Sequence, residues 1–422
     1  MRIKSIVSSS IGNVLEWYDF GLFAIYSPLF SELFFPHHDP HVALLTTFGV
    51  FAVGFLCRPI GALLFGYLGD RKGRVETLRL SILMISLPTL FIGFLPTYSK
   101  VGILAPVLLI LTRVWQGISL GGEYSGNLIY LAETAPAKYR ATITSLGSTG
   151  ANLGILLASI IGGLSNYFFS DAIFREWGWR LPYIVSGILC LLIYAARLKM
   201  QETIVFEHLK NKKQLARNPI KIMIKDNMPQ VLRTLGLVCA GSTFYYFCFI
   251  YIPIFLTQNE KFPLFKTTGI MTIFVASMLI LVPLAGLLCD HVGRRKMLLF
   301  NAIFIGLIAV PGFYMIQQNY LIAAISMFIV FTIASSLEQG TTSIAVVENY
   351  PVPARYTGLS FGYNIGNGFF GGTIPFICEW LVNKTHFSLA PAFYIVVCAV
   401  VTGLVVFFFV KETLHKSLEN NG

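Results

Sequence analysis

Six charged side chains lie deep inside long apolar stretches of this sequence: Glu16, Asp19, Arg58, Arg113, Glu123 and Glu338. A charge at the centre of a membrane helix costs about 2.5 kcal/mol or more, so each must face a cavity or a partner. Glu16 and Asp19 share one helix face with Gly12 and Phe23. Two carboxylates so close resist ionising together, which suits a group that takes up and releases a proton. Fixed salt bridges to Arg58 or Arg113 are the other reading of the same pair.

A second stripe begins at Arg113 and continues through Gln116, Glu123, Asn127 and Tyr130. The planar fork of Arg113 can hold a substrate carboxylate at two points, or it can pair permanently with Glu123 or Asp19. Glu16, Asp19, Arg113 and Glu123 fall at depths where they are expected to meet. Further along, Ser242–Phe247 brings Tyr245 and Tyr246, followed by Phe249 and Tyr251. Such a wall suits a quaternary ammonium through cation–π attraction, and equally a packing surface. Trp17, Tyr18 and Trp115 are candidate additional walls. Glu338, beside Gln339, can meet a substrate ammonium or pair locally, and Tyr363, Asn364 and Asn367 form a smaller polar face.

The elements that carry these residues are membrane spans. The 422-residue chain is 55% hydrophobic, 14% aromatic and 12% charged, with a mean hydropathy of +0.70. Soluble domains carry about 25% charged residues, so a water-soluble enzyme is excluded, as are disordered and disulfide-stapled classes. Stretches long enough to cross a bilayer are read at 10–34, 43–68, 78–98, 102–131, 141–169, 180–198, 233–257, 267–289, 296–316, 320–346, 356–382 and 390–410. Most of the 31 lysines and arginines fall on one side of these spans. Lys100, Arg175, Arg180, Lys261, Lys266 and Lys384 fall on the other. The bias places both termini in the cytoplasm and accounts for the net charge of +11 without nucleic acid. The N-terminus reads as the start of the first span, not a cleaved signal.

The polar segment 199–229 divides six spans from six, giving bundles at 1–198 and 230–422. The halves echo each other in parallel. Asp70-Arg71-Lys72-Gly73-Arg74 returns as Asp290-His291-Val292-Gly293-Arg294, Glu133 to Arg140 returns as Glu348 to Arg355, and Glu202-Thr203 returns as Glu412-Thr413. Parallel six-span repeats mark secondary transporters that hold substrate between two bundles near the midplane. Asp70, Arg71, Arg74, Asp290 and Arg294 form pairs that can close in one state and break in another. The arginines acting alone as a topology signal are the plainer reading. Gly147, Gly150 and Gly154 permit close helix contact. The linker lysines suit an anionic lipid surface.

These motifs also carry a resemblance. The Gly-x-x-x-Asp-Arg-x-Gly-Arg loop ending at Arg74, with Arg113-x-x-Gln116-Gly117, resembles the major facilitator superfamily. Gly12-Asn13-x-x-Glu16-Trp17-Tyr18-Asp19-Phe20, Arg58-Pro59-Ile60-Gly61, Gly121-Gly122-Glu123, Trp177-Gly178-Trp179-Arg180-Leu181-Pro182 and Gly362-Tyr363-Asn364 resemble its metabolite:proton symporter family. That resemblance implies an all-α fold of twelve transmembrane helices in two parallel-repeat bundles. It implies proton-coupled import of a small carboxylate-bearing metabolite, foremost a proline- or betaine-like zwitterion. A di- or tricarboxylate such as citrate or α-ketoglutarate is the alternative, as is an uncoupled uniporter or exporter. An osmosensing member of the family has a long C-terminal coiled coil. Only a short tail follows the last span here, so activation by that device is not expected.

The expected partners are substrate, protons and the bilayer of a bacterial inner membrane, with a monomeric chain. No cofactor is implied. There is no Walker sequence, and the seven cysteines show neither disulfide nor metal spacing. His37, His38 and His41 around Asp39 read as a solvated turn. No nucleophile–base pair suggests a membrane enzyme.

Overall fold

In lipid every backbone N–H and C=O must be bonded within the chain, so an apolar sequence of this kind crosses the membrane as helices. The computed structural model describes residues 3–36, 40–258, 264–318 and 321–418. His37, His38 and Asp39 lie outside the described residues. The first half contributes α1 (Ile3–Phe34), α2 (Pro40–Arg71), α3 (Arg74–Phe94), α4 (Leu104–Thr134), α5 (Arg140–Phe168) and α6 (Arg180–Arg197). In the second half, α7 comprises Met228–Tyr246, a π-helical turn Phe247–Tyr251, and Ile252–Gln258. It is followed by α8 (Leu264–Val292), α9 (Arg294–Gln317) and α10 (Leu321–Glu348). Next, α11 comprises Arg355–Gly366, a π-helical turn Asn367–Gly371, and Ile374–Thr385, and α12 is Ala390–Phe409.

Each of the twelve spans read from the sequence corresponds to one of these helices. The first starts at Ile3, not at residue 10, and the third is displaced at both ends. It ends at Phe94, not at residue 98, because Leu95 precedes Pro96 and the proline ring disfavours a helical residue before it. The linker is more ordered than its polarity suggests, with short helices at Ile204–Asn211 and Pro219–Asp226. Thr203 and Asn218 cap them through their side chains.

Packing repeats between the halves. In the first, α1 lies on α5, α2 on α4 and α3 on α6; in the second, α7 lies on α11, α8 on α10 and α9 on α12. The halves meet where α5 packs on α8 and α2 on α11. Close approach follows from small residues: a Cβ at Gly154 would collide with the α1 backbone at Val14 and Tyr18. The outer surface is apolar, with Leu56 76%, Ile322 81% and Phe376 74% exposed, as lipid-facing residues should be. The described ends of the chain, Ile3 and Leu418, lie on one side of the helix assembly, called here the termini face.

Candidate functional site

At the termini face the halves are joined by two matching latches. Asp70 ends α2 and accepts hydrogen bonds from Tyr356 N (3.1 Å), Thr357 N (2.9 Å) and Thr357 Oγ1 (2.8 Å) at the start of α11. Asp290 ends α8 and accepts from Ala141 N (2.9 Å), Thr142 N (2.9 Å) and Thr142 Oγ1 (2.8 Å) at the start of α5. A carboxylate suits these places because the first-turn amides of a helix have no partner in their own helix and carry partial positive charge. The turn after each aspartate needs a left-handed backbone, supplied by Gly73 (φ 119°) and Gly293 (φ 104°).

Arginines extend each latch. Arg74 pairs with Glu133 (3.2 Å), which also accepts from Arg355 of the other half (3.0 Å). Arg294 pairs with Glu348 (3.2 Å), which also accepts from Arg140 (3.1 Å). Thr203 and Thr413 donate to Glu133 (2.6 Å) and Glu348 (2.5 Å). Glu202 and Glu412 accept from the first amides of α3 and α9 at 3.1 and 2.9 Å. The tail joins in, since the carbonyls of Lys416 and Leu418 accept from Arg140 and Arg355, both at 2.8 Å.

Midway along the helices the first half holds a buried charged cluster. Asp19 accepts from Arg113 Nη1 (3.1 Å) and Gln116 Nε2 (2.9 Å), and Gln116 also meets Thr89 (2.8 Å). The Arg113 guanidinium lies 3.7 Å from the Phe23 ring centre. Glu123 is held by both terminal nitrogens of Arg197, the last residue of α6, and by Ser81 (2.5 Å). Arg197 also donates to the carbonyls of Ser8 (3.2 Å), Ser9 (2.9 Å) and Leu78, so one side chain ties α1, α3, α4 and α6 together. Arg58 is buried beneath the rings of Trp17 (5.7 Å) and Phe55 (5.3 Å).

Beside this cluster, a cavity lies between the halves. Trp17, Tyr124, Tyr245, Tyr246 and Tyr363 wall it, and Glu338 supplies its one carboxylate among the described lining residues. Glu338 makes no ion pair with any described residue. On the termini side the cavity is floored by Tyr124 stacked on Tyr363 (4.9 Å, 24°) and by two interbundle bonds, Asn152 to Gln339 (2.9 Å) and Ser148 to Ser343 (2.8 Å). On the opposite side it continues into an apolar cleft past Phe20, Phe55 and Phe249.

The sequence profile of the Major Facilitator Superfamily matches residues 10–374. The chain belongs to the major facilitator superfamily. It is 32% identical to the Proline/betaine transporter of Escherichia coli (strain K12), over 99% of this chain and 85% of that protein. To the Proline/betaine transporter of Salmonella typhimurium (strain LT2) it is 31% identical, with the same coverage. Its fold matches the proton:xylose symporter XylE bound to 6-bromo-6-deoxy-D-glucose with TM-score 0.80 and 17% identity, covering 99% of this chain and 98% of that one. A partially occluded, inward-open XylE from E. coli matches with TM-score 0.69 and 18% identity, covering 97% and 98%. This member of the superfamily is therefore a multi-pass membrane transporter, not an enzyme.

Several residues singled out in the sequence are placed differently from expectation. Glu16 and Asp19 do not pair: Asp19 turns to Arg113, whereas the charges nearest Glu16 are Glu123, Arg58 and Arg197. Glu123 meets Arg197 and neither Asp19 nor Arg113. The long Arg197 side chain reaches from a helix end back into the bundle, so counting it as a loop charge hid it. Arg71 is exposed and donates to Tyr67 on its own helix, outside the latch. Asn127 accepts from Ser9 (2.6 Å) within the first half. Asn364 donates to Gly121 O (3.0 Å), which makes it a bond between halves away from the cavity. Tyr18 is buried among Phe23, Tyr26 and Phe30, Tyr251 is buried against Phe247 and Phe313, and Trp115 is 40% exposed on the outer surface. Tyr245, Tyr246 and Glu338 do face the cavity. Glu133, Arg140, Glu348 and Arg355 were visible as repeated motifs without being recognised as latch members.

Proposed function

We propose that the chain is a proton-coupled symporter importing a small zwitterion of proline or betaine type by alternating access. The observation that carries this reading is the cavity, where a carboxylate stands among aromatic walls. Glu338 offers an anion for a substrate ammonium, and the rings of Trp17, Tyr245, Tyr246 and Tyr363 favour a cation that cannot donate many hydrogen bonds. Arg58, packed on Trp17 behind the cavity wall, is the guanidinium available to a substrate carboxylate once that ring moves. The proline/betaine transporters to which the chain is similar are named for zwitterions, which agrees with this reading.

Coupling rests on Asp19 and Arg113. One side of α1 presents Asp19 to the arginine, and another presents Trp17, Phe20 and Gly21 to the cavity and its cleft. A proton on Asp19 cancels its attraction for Arg113 and lets α1 shift, which moves the cavity wall. Glu123, already neutralised by Arg197, is a fixed counter-ion in this scheme. With both termini in the cytoplasm, the closed latches belong to the outward-facing state. Release inward requires Asp70 and Asp290 to let go of α11 and α5. The likeness to bacterial relatives supports placement in a bacterial inner membrane, with one chain as the working unit.

The test is uptake of labelled proline, glycine betaine, citrate and α-ketoglutarate into proteoliposomes, with and without an inward proton gradient. Gradient-driven accumulation of a zwitterion, collapsed by a protonophore, is the expected result. Accumulation of citrate or α-ketoglutarate instead would replace the substrate assignment. Equilibration indifferent to the gradient would make the chain a uniporter.

A further inference from the structure

We propose that Glu16 is a proton-binding site of its own, separate from Asp19, and that Glu123 maintains it by occupying Arg197. Glu16 is fully buried, and neither of its carboxyl oxygens meets a hydrogen-bond donor among the described residues. An ionised carboxylate without donor or counter-ion is far costlier to bury than the neutral acid. Asp19, one turn along the same helix, has both Arg113 and Gln116.

The cations nearest Glu16 are Arg58 and Arg197, and neither gives it a hydrogen bond. From α6, Arg197 gives both terminal nitrogens to Glu123 and its remaining bonds to the carbonyls of Ser8, Ser9 and Leu78. From α2, Arg58 lies against Trp17 and Phe55, and its Nε and Nη2 bond to nothing among the described residues, Glu16 included. From α4, the nearest charge is Glu123 itself, of like sign. On α5 the only charge is Arg140, at its first residue and committed to Glu348. On α3 the charges are Arg74, Glu76 and Arg79, all in its opening turns. Glu16 is thus a buried carboxyl to which no neighbouring cation gives a hydrogen bond, and a proton supplies what the neighbours do not. A neutral Glu16 also leaves Arg58 free for a substrate carboxylate. In that respect the inference deepens the proton-coupled reading above.

It predicts a particular response at Glu123. In Glu123→Gln the Arg197 charge loses its partner, turns to Glu16 and displaces the proton. Infrared difference spectroscopy of the full chain in lipid films at neutral pH reads this without any substrate. The wild type should show a protonated-carboxyl band that is lost in Glu16→Gln, kept in Asp19→Asn and lost in Glu123→Gln. A wild type without the band, or a band surviving in Glu16→Gln, overturns the proton site. Loss of the band in Asp19→Asn overturns its independence, and persistence in Glu123→Gln overturns the role given to Glu123. Should Glu123→Gln not fold, the neutral double variant Glu123→Gln/Arg197→Gln decides instead. The band must remain there, since no freed charge exists to displace the proton; its loss overturns the proposal. If the band behaves as stated while uptake ignores the proton gradient, Glu16 stands and the coupling reading falls.

Discussion

Asp70 in the first half takes both the amide and the hydroxyl of Thr357 in the second, at 2.9 and 2.8 Å. The same grip recurs between Asp290 and Thr142 at 2.9 and 2.8 Å. Hydrogen bonds to a charged group contribute about 1.5–3 kcal/mol each. Asp70→Asn should therefore shift the closed-to-open ratio at the termini face roughly tenfold or more toward open. Spin labels at exposed Lys138 and Lys296 would report this as a longer inter-half distance. An unchanged distance distribution would remove Asp70 from the latch. Arg71→Ala serves as the control, because an exposed side chain bonded to its own helix contributes about 0–1 kcal/mol.

Glu338 is the cavity's anion, so Glu338→Gln should weaken zwitterion binding by roughly tenfold or more, consistent with loss of a charge-assisted contact. Tryptophan fluorescence is a fitting readout because Trp17 lines the same cavity. Equal affinities in the two proteins would move the ammonium elsewhere.

Asp19→Asn mimics the protonated acid and releases Arg113 permanently. Accumulation driven by a proton gradient should vanish, while exchange of labelled for unlabelled substrate persists. External acidification should stimulate wild-type uptake and leave the variant's exchange rate unchanged. Retained accumulation would place coupling at another residue.

Arg197→Met leaves Glu123 buried without its counter-ion, and breaking a buried pair from one side costs about 3–5 kcal/mol. A clear fall in the melting temperature of the purified protein is expected. Arg197→Met combined with Glu123→Leu should recover much of the loss, because an apolar pair of similar bulk replaces a buried ion pair at little cost. Glu123→Gln should be milder than Arg197→Met, since the freed arginine has Glu16 to turn to. A double variant no more stable than Arg197→Met would argue against the pair as the cause.

Hydropathy made the twelve helices legible because lipid contact leaves a run of apolar residues on every span. Pairing left no such trace. Glu123 stood out as a buried charge, yet its partner Arg197 sat at a helix end where arginines normally contact water. Spacing put Glu16 and Asp19 on one face, but a face meets several neighbours: α4 offers Asp19 two donors and Glu16 none. Asn364 looked like a lining residue because it lies beside Tyr363; a single helical step turns it from the cavity to Gly121. The π-helical turns at Phe247–Tyr251 and Asn367–Gly371 have no composition of their own. Only the repeat spoke about tertiary contact, since residues duplicated at helix ends proved to be the latch.

The crossed arrangement of the latches bears on energy conservation. Each half grips a helix of the other, so one aspartate cannot withdraw far without straining its counterpart. Release is then concerted, and a state with one latch undone and a water-filled path on both sides is disfavoured. A carrier built this way either completes its movement or does not begin it, and the duplicated aspartate guards against an open leak path.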